Sequence, residues 1–485
     1  MLEICDKLFS RWNENDLLYC HWKSNEHLLP GLEGKTDLDV LLSKNDKQQG
    51  EIILHNLGFL HCKSQYGSRY PDVDDWIGFD NLTGKLVHLH LHYELVTGHK
   101  GMKEYNLPWT ELALDSRIKN DEYGVHMMEP NLEMVTLYTR IGLKADFKNL
   151  MRCHFGTFHF PKDVKREIDW LKSKVDMNLV HRLLKNYYHN NAEALLSIMC
   201  MDKIDAKTYM KLRKITESNF KKCRRIKLFI RLREVHNFLY QRYVKRLVRK
   251  FWPIISKKVP ATQKGLTVAF LGQDGAGKTT VTKDIIKWWS WKLDVKNVYL
   301  GSGDNYSSIK KSVAKKLSNK GLFRYMKAFL SLSDSKDRVK KAYKNVRKAV
   351  KYASKGGLVI YDRFPQMEYA GICDGPRIRK RLQTGLSNKF FNTLFSPLAN
   401  VEEKYINKIL SYSPDIVIKL MLPPEESLRR KPEENYNDVK EKHDIIKTLS
   451  FNHSAVYTID ATMPYEQEII LIKNIIWDTL IRRQE

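Results

Sequence analysis

Residues Gly272 to Thr280 read Gly-Gln-Asp-Gly-Ala-Gly-Lys-Thr-Thr, directly behind the apolar run Leu266-Thr267-Val268-Ala269-Phe270-Leu271. A short strand, a G-x-x-x-x-G-K-[ST] turn and a helix-forming stretch make a complete phosphate loop in its required context. Gly272, Gly275 and Gly277, with the small Ala276, let the backbone fold tightly, so that successive N–H groups and the helix N-terminus face a polyphosphate. Lys278 can reach the β- and γ-phosphates, the Thr279 hydroxyl can ligate Mg²⁺, and Thr280 continues the turn. The chain is therefore expected to bind a nucleoside triphosphate, taken as ATP with Mg²⁺. Asp274 has no role in the motif itself.

A chain of 485 residues exceeds one ordinary core, so two or three domains are expected. No stretch has the length of apolar residues that spans a bilayer. Met1-Leu2-Glu3-Ile4-Cys5-Asp6-Lys7 carries acids and no apolar core, so no signal peptide is expected. The seven cysteines form no C-x-x-C pair, which fits free thiols in a reducing cytosol. The net charge of +27 implies an anionic partner: nucleotides, nucleic acid, phosphorylated glycans or an acidic membrane surface.

Three segments are expected. Residues 1–128 read as α+β, with strand-like runs at Asp37–Leu42 and Lys85–His92. Residues 129–258 read as helical, with Leu179, Leu183, Leu184 and Tyr187 at helical spacing. Residues 259–485 return to alternating strand and helix, an α/β arrangement with a parallel, helix-covered sheet. Between Lys211 and Lys258 lies a stretch crowded with Lys and Arg, including Arg242 through Lys250. Phe229, Leu232, Val235, Leu239, Tyr243, Leu247 and Phe251 keep helical period, so one basic amphipathic helix is expected to end near Trp252-Pro253. It reads as an interdomain helix whose apolar stripe packs on the protein, with an anionic membrane surface as the alternative. A second basic run, Lys310 to Lys355, reads as a solvated helical face.

Four apolar residues and an acid in Leu358-Val359-Ile360-Tyr361-Asp362 describe a buried parallel strand that delivers a carboxylate to the ligand-binding edge of the sheet. Asp362 is expected to help hold Mg²⁺, and Arg363 to clamp an acceptor phosphate. A third strand around Pro414–Leu422 leads into Glu425-Glu426-Ser427-Leu428-Arg429-Arg430, whose arginines can fold over a transferring phosphoryl group. Ordinary charge on an exposed helix end is the other reading of that pair.

These pieces, in this order with Ile459-Asp460-Ala461, resemble the thymidylate kinase family of nucleoside monophosphate kinases over residues 264–485. The resemblance implies a phosphotransferase fold using ATP. In it Asp274 meets the acceptor's sugar, Arg363 binds the acceptor phosphate, and Arg429 or Arg430 serves a lid. The family's Arg-Glu-Pro-Gly segment is replaced by Gly301-Ser302-Gly303-Asp304 after Leu300. The residues that read thymine are replaced by Phe364-Pro365-Gln366-Met367-Glu368-Tyr369 and Cys373-Asp374-Gly375-Pro376-Arg377. The donor side is kept and the thymine-reading side is rewritten, so dTMP or a related phosphorylated, sugar-bearing acceptor is expected.

Near the N-terminus, Gly34-Lys35-Thr36-Asp37-Leu38-Asp39-Val40 puts two carboxylates on one strand face, a spacing that suits Mg²⁺ shared with a triphosphate. With His21-Trp22-Lys23 and Leu89-His90-Leu91-His92, the segment from about 15 to 140 resembles the nucleotidyltransferase superfamily. That resemblance implies a third carboxylate where His90 stands, with Glu94 or Asp80 as substitutes. His88, His90 and His92 share a strand face and read as a polar wall of a cleft, with a transition-metal site as the alternative. The expected activity is phosphoryl transfer by the C-terminal segment. A nucleotidyltransferase acting through Asp37 and Asp39, and a basic membrane- or nucleic-acid-binding scaffold, are the alternatives. Nucleic acid is the less expected partner. The expected location is the cytosol, with peripheral contact at the inner membrane face through the basic helix. A phosphorylated glycan is a further candidate acceptor, by analogy with surface-polysaccharide proteins.

Overall fold

The computed structural model describes the chain except residues 65–69, 71, 100–101, 145–146, 226–227, 245–254, 301–308, 318–320 and 386–388. It divides into two compact units, Met1–Trp252 and Pro253–Glu485.

In the front unit, β1 (Tyr19–His21), β2 (Asp37–Leu42), β3 (Leu60–Lys63), β4 (Val73–Asp80) and β5 (Lys85–His92) share one mixed sheet in the order β3-β4-β5-β2-β1. β2 and β5 are parallel, pairing Asp37 with His88 and Asp39 with His90. β4 is antiparallel to β5 and sets Asp75 opposite His90. The helix Glu3–Glu14 buries Ile4, Leu8, Phe9 and Trp12 with Leu38, Val40 and Leu89 of the sheet. A second cluster joins Trp22 and Leu41 to Trp109, Tyr138, Leu184, Tyr188 and Phe220. The helices after residue 129, expected as a separate connector, thus share a core with the N-terminal sheet.

The helix Met177–Tyr188 forms, but its buried stripe is Val180, Leu184 and Tyr188, while Leu179 is 41% exposed. Among the described residues the basic stretch from Lys211 is not one continuous helix. The helix Ala206–Asn219 ends where Phe220 turns into the core against Trp109 and Tyr188. The Arg225 N–H then donates to the Glu104 carbonyl at 2.8 Å, drawing the chain away from the helix axis. A new helix, Leu228–Leu239, follows, and its Phe229 and Leu232 are 80% and 61% exposed, so that part of the stripe does not pack on the protein. Most of the expected run Arg242 to Lys250, with Trp252-Pro253, lies outside the described residues. Among the described residues no helix is long and apolar enough to cross a membrane.

The back unit holds a five-stranded parallel sheet. Its strands are β6 (Leu266–Gly272), β7 (Val295–Val298), β8 (Leu358–Tyr361), β9 (Ile416–Met421) and β10 (Ala455–Asp460), in the order β7-β8-β6-β9-β10. β6, β8 and β9 are near-continuous apolar runs because helices cover both faces of such a sheet. The chain crosses from one side of β6 to the other between β8 and β9, which places a switch point at the carboxyl end of β6. The second basic run lies mainly in the helix Gly321–Ala353, which buries Val346, Ala349 and Tyr352 against the sheet.

Candidate active site in the back unit and a carboxylate–imidazole cluster in the front unit

The phosphate loop leaves the carboxyl end of β6 and enters the helix Lys278–Trp289. Gly275 and Gly277 have φ of 85° and 84°, a region that strains any residue with a side chain. A Cβ at Gly277 would meet nothing within 4 Å, so the concave side of the turn is open to a ligand. A Cβ at Gly275 would stand 3.2 Å from the Ser427 carbonyl, which fixes the back of the loop against the helix Pro424–Arg430.

The Lys278 ammonium donates to the carbonyls of Gly272 at 2.7 Å and Gln273 at 2.9 Å, held within the curve of its own loop. Burial, then the nearby Arg363 charge, pulls its pKa down to about 8. Thr279 and Thr280 are exposed at the first turn of the helix. Asp362 follows β8 directly, and its Oδ1 is buried with no hydrogen-bond partner among the described residues. A buried carboxylate oxygen in that condition suits a cation, and with the Thr279 hydroxyl it fits the oxygen-rich ligand set of Mg²⁺.

Arg363, Asp274, Lys278, Cys373, Asp374, Arg377 and Lys442 line one cavity of about 230 Å³ at this sheet edge. Arg363 lies 3.9 Å from Asp374, and Arg377 donates to the same carboxylate at 3.4 Å. Burial works to lower the Arg363 pKa, but Asp374 together with Tyr299, Asp274 and Asp362 outweighs it and raises the guanidinium above its ordinary value. Lys442 donates to Asp274 Oδ2 at 2.6 Å. Burial works to raise the Asp274 carboxyl, and Lys442 brings it below the ordinary value.

The two lid candidates separate. Arg430 donates to the carbonyls of Gly275 and Ala461 at 3.4 and 3.1 Å, so it touches the loop. Arg429 is 77% exposed and pairs with Glu426 at 3.0 Å, the reading of ordinary surface charge. Asp374, Arg377 and Lys442 had no role in the sequence reading. One local signal marks the segment: Cys373 and Asp374 both have positive φ, 47° and 60°, a costly conformation for two consecutive residues with side chains. Gln366 holds that loop, donating to the carbonyls of Tyr369 and Ile372 and accepting from the Tyr369 N–H. The segment Gly301–Asp304 lies outside the described residues.

In the front unit, Asp37 and Asp39 face imidazoles and an ammonium. His88 Nδ1 is 2.9 Å from Asp37 Oδ1, and His90 Nδ1 is 3.3 Å from Asp39 Oδ1. Lys23 holds Asp39 at 2.7 Å, and this carboxyl lies well below its usual range because Lys23 and the imidazoles outweigh its burial. Neither substitute expected for the third carboxylate reaches the group. Asp80 accepts from Ile4 N and Thr83 at the turn after β4, and Glu94 is taken by Lys44, Asn106 and Thr110. The carboxylate that does arrive is Asp75 on β4, 3.1 Å from the Nε2 atoms of both His88 and His90.

No family model matches the chain. The uncharacterised ATP-binding protein YghR of Escherichia coli strain K12 is 29% identical over 217 residues, 41% of this chain and 82% of YghR. YghS, an uncharacterised ATP-binding protein of the same strain, is 26% identical over 221 residues, 41% of this chain and 87% of YghS. Among solved structures, deoxyadenosine kinase from M. mycoides with bound dATP is 16% identical at a TM-score of 0.28, covering 44% of this chain and 99% of that chain.

Proposed function

We propose that the back unit is an ATP-dependent phosphotransferase of the nucleotide-kinase type. The observation that carries this reading is the convergence of the phosphate loop, Lys278, Arg363 and Arg377 on one cavity, with an Asp362 oxygen that has no partner among the described residues. The similarity to two proteins described as ATP-binding supports ATP as the donor. In this reading the loop amides and Lys278 hold the β- and γ-phosphates, and Arg430 steadies the loop from behind. Thr279 and Asp362 would hold Mg²⁺, which when bound neutralises charge on the β- and γ-oxygens.

The acceptor we assign is a nucleoside monophosphate, dTMP or a related phosphorylated, sugar-bearing molecule. Arg363 and Arg377 suit its phosphate, and Asp274 suits a sugar hydroxyl. An anionic phosphate oxygen attacks the γ-phosphorus as the bond to the β–γ bridging oxygen breaks, and ADP departs. That oxygen carries no proton, so no general base is required, and catalysis is positioning plus charge stabilisation. The test is ATP consumption by the full chain over nucleoside monophosphates, nucleosides and phosphosugars, with products identified by mass. A phosphorylated product that disappears in Lys278→Ala is expected. Normal turnover in that variant overturns the proposal.

A further inference from the structure

Resting on the phosphotransferase reading of the back unit, we infer that the acceptor carries a second anionic group, a carboxylate or a phosphate. Arg338 receives it in a small chamber that adjoins the active-site cavity.

Three parts of the back unit build the chamber. Arg338 comes from the middle of the helix Gly321–Ala353 and Glu402 from the helix Lys389–Leu410. Arg363, Asp374 and Arg377 come from the segment that follows β8. These last three also line the cavity of about 230 Å³ at the phosphate loop, so one molecule can reach from the loop into the chamber. Val339 and Ile406 give it apolar walls, which strengthen any charge interaction inside. The chamber measures about 30 Å³, and a water needs about 10 to 15 Å³, so there is room for about two. That space suits the two oxygens of a carboxylate or the edge of a phosphate, and it is too small for a nucleobase.

The charges decide what fills it. Three guanidiniums line the chamber with two carboxylates, and both carboxylates are engaged elsewhere. Glu402 is fully buried, and its Oε2 accepts the backbone N–H groups of Arg377 at 2.9 Å and Ile378 at 2.8 Å. It thereby caps the helix Ile378–Gly385, a structural task. Asp374 accepts from Arg377 at 3.4 Å and has Arg363 at 3.9 Å. Gln366 clamps the loop that carries Asp374, so this carboxylate is held with that pair of arginines. Arg338 is half-buried and makes no hydrogen bond or ion pair among the described residues. A guanidinium offers five N–H donors and accepts nothing, so such a group inside a cavity is answered only by an acceptor brought from outside. Burial first and the Arg377 charge second pull the Arg338 pKa below its ordinary value, while Asp374 and Glu402 work the other way. With Arg363 and Arg377 assigned to the acceptor's phosphate, Arg338 is left over, and its fork suits an oxyanion.

The experiment measures direct binding to the full chain by calorimetry, in the presence of a non-hydrolysable ATP analogue. The probes are matched pairs that differ by one anionic group. Glucose 1-phosphate against glucuronic acid 1-phosphate adds a carboxylate, and dTMP against thymidine 3′,5′-bisphosphate adds a phosphate. In at least one pair the doubly anionic member should bind about tenfold tighter or more, the worth of one hydrogen bond to a charged group. Arg338→Met should bring its Kd to that of its partner and leave the singly anionic member unchanged. Arg338→Gln, closer in polarity, carries the same test if Arg338→Met misfolds. Equal affinity within both pairs in the wild-type chain, no binding of either doubly anionic probe, or a preference that survives the loss of Arg338 overturns the inference. Phosphoryl transfer to the same probes is read separately by product mass. Intact preference without transfer counts against the phosphotransferase reading alone, and transfer without preference counts against the second anion alone.

Discussion

The two sites differ in how their charges are balanced. At the carboxyl edge of the back sheet, Lys278, Arg363, Arg377 and Lys442 face a cavity with two carboxylates, Asp274 and Asp374, each already held by a cation. The surplus there is positive. In the front sheet, Asp37, Asp39 and Asp75 face imidazoles, and Lys23 is the ammonium in direct contact, on Asp39. Lys103 and Lys144 also lie within electrostatic reach of Asp39, so the carboxylates there are answered by cations and imidazoles of the front unit itself. An open site is completed by the charge it lacks, so the back site calls for an anion, whereas the front cluster pairs its charges internally.

The largest expected effect breaks the comparison at its strongest point. Lys278→Ala removes the cation closest to the loop, and kcat/KM for phosphoryl transfer should fall about 1,000-fold, ~4 kcal/mol. Steady-state kinetics with the best acceptor would measure it, and a loss under tenfold would show that the positive surplus is not what holds the donor. Next comes the separateness of the cores. Trp109 is fully buried, donates to Thr136 at 3.0 Å and packs on Tyr187 and Phe220. Trp109→Ala should destabilise the front unit by about 3 to 5 kcal/mol while ATP affinity stays unchanged. Thermal unfolding beside nucleotide titration tests this, and a matching loss of ATP affinity would erase the distinction between the units. Asp362→Asn should then cost about 100-fold in kcat with little change in ATP affinity, because the amide removes a negative charge beside the expected Mg²⁺. A change in affinity alone would remove Asp362 from the reaction.

The two sites were also unequally legible. The phosphate loop is read from nine adjacent residues because the turn it makes is local, and Asp362 from the apolar strand that precedes it. Lys442 reaches Asp274 from a helix 168 residues further along, and no pattern within that helix distinguishes this lysine from its neighbours. Asp75 was missed for a different reason. Asp72, Asp74 and Asp75 crowd the start of β4, and only the antiparallel pairing with β5 decides which one meets the histidines. The connector was expected as its own domain because helical period reveals an apolar stripe without saying what covers it. Trp22 and Leu41 of the sheet cover it here. For the basic stretch, the period that begins at Phe229 does fold as a helix over Leu228–Leu239, and the core that captures Phe220 ends the helix before it.

The smallest effect sharpens the contrast by pH. Lys278 has its pKa lowered to about 8, by burial first and by Arg363 second. Below pH 8 the ammonium is charged, and ATP affinity should not vary through this group. As pH rises above 8 the proton is lost from the free protein but retained beside the phosphates, so Kd should rise up to about tenfold per pH unit. Stability moves the other way. An unfolded lysine titrates near about 10.4, so the folded state binds its proton less tightly. The contribution of Lys278 to folding is therefore full above that value and lost as pH falls through 8. Ligand-free stability should gain from this group between pH 8 and about 10 while ATP affinity declines. Binding isotherms and denaturant midpoints across that range would check it. Arg363→Met, by removing the neighbouring charge, should move the break in affinity to higher pH. A Kd that stays flat from pH 7 to 9.5 would mean that Lys278 is not poised by burial at the donor site.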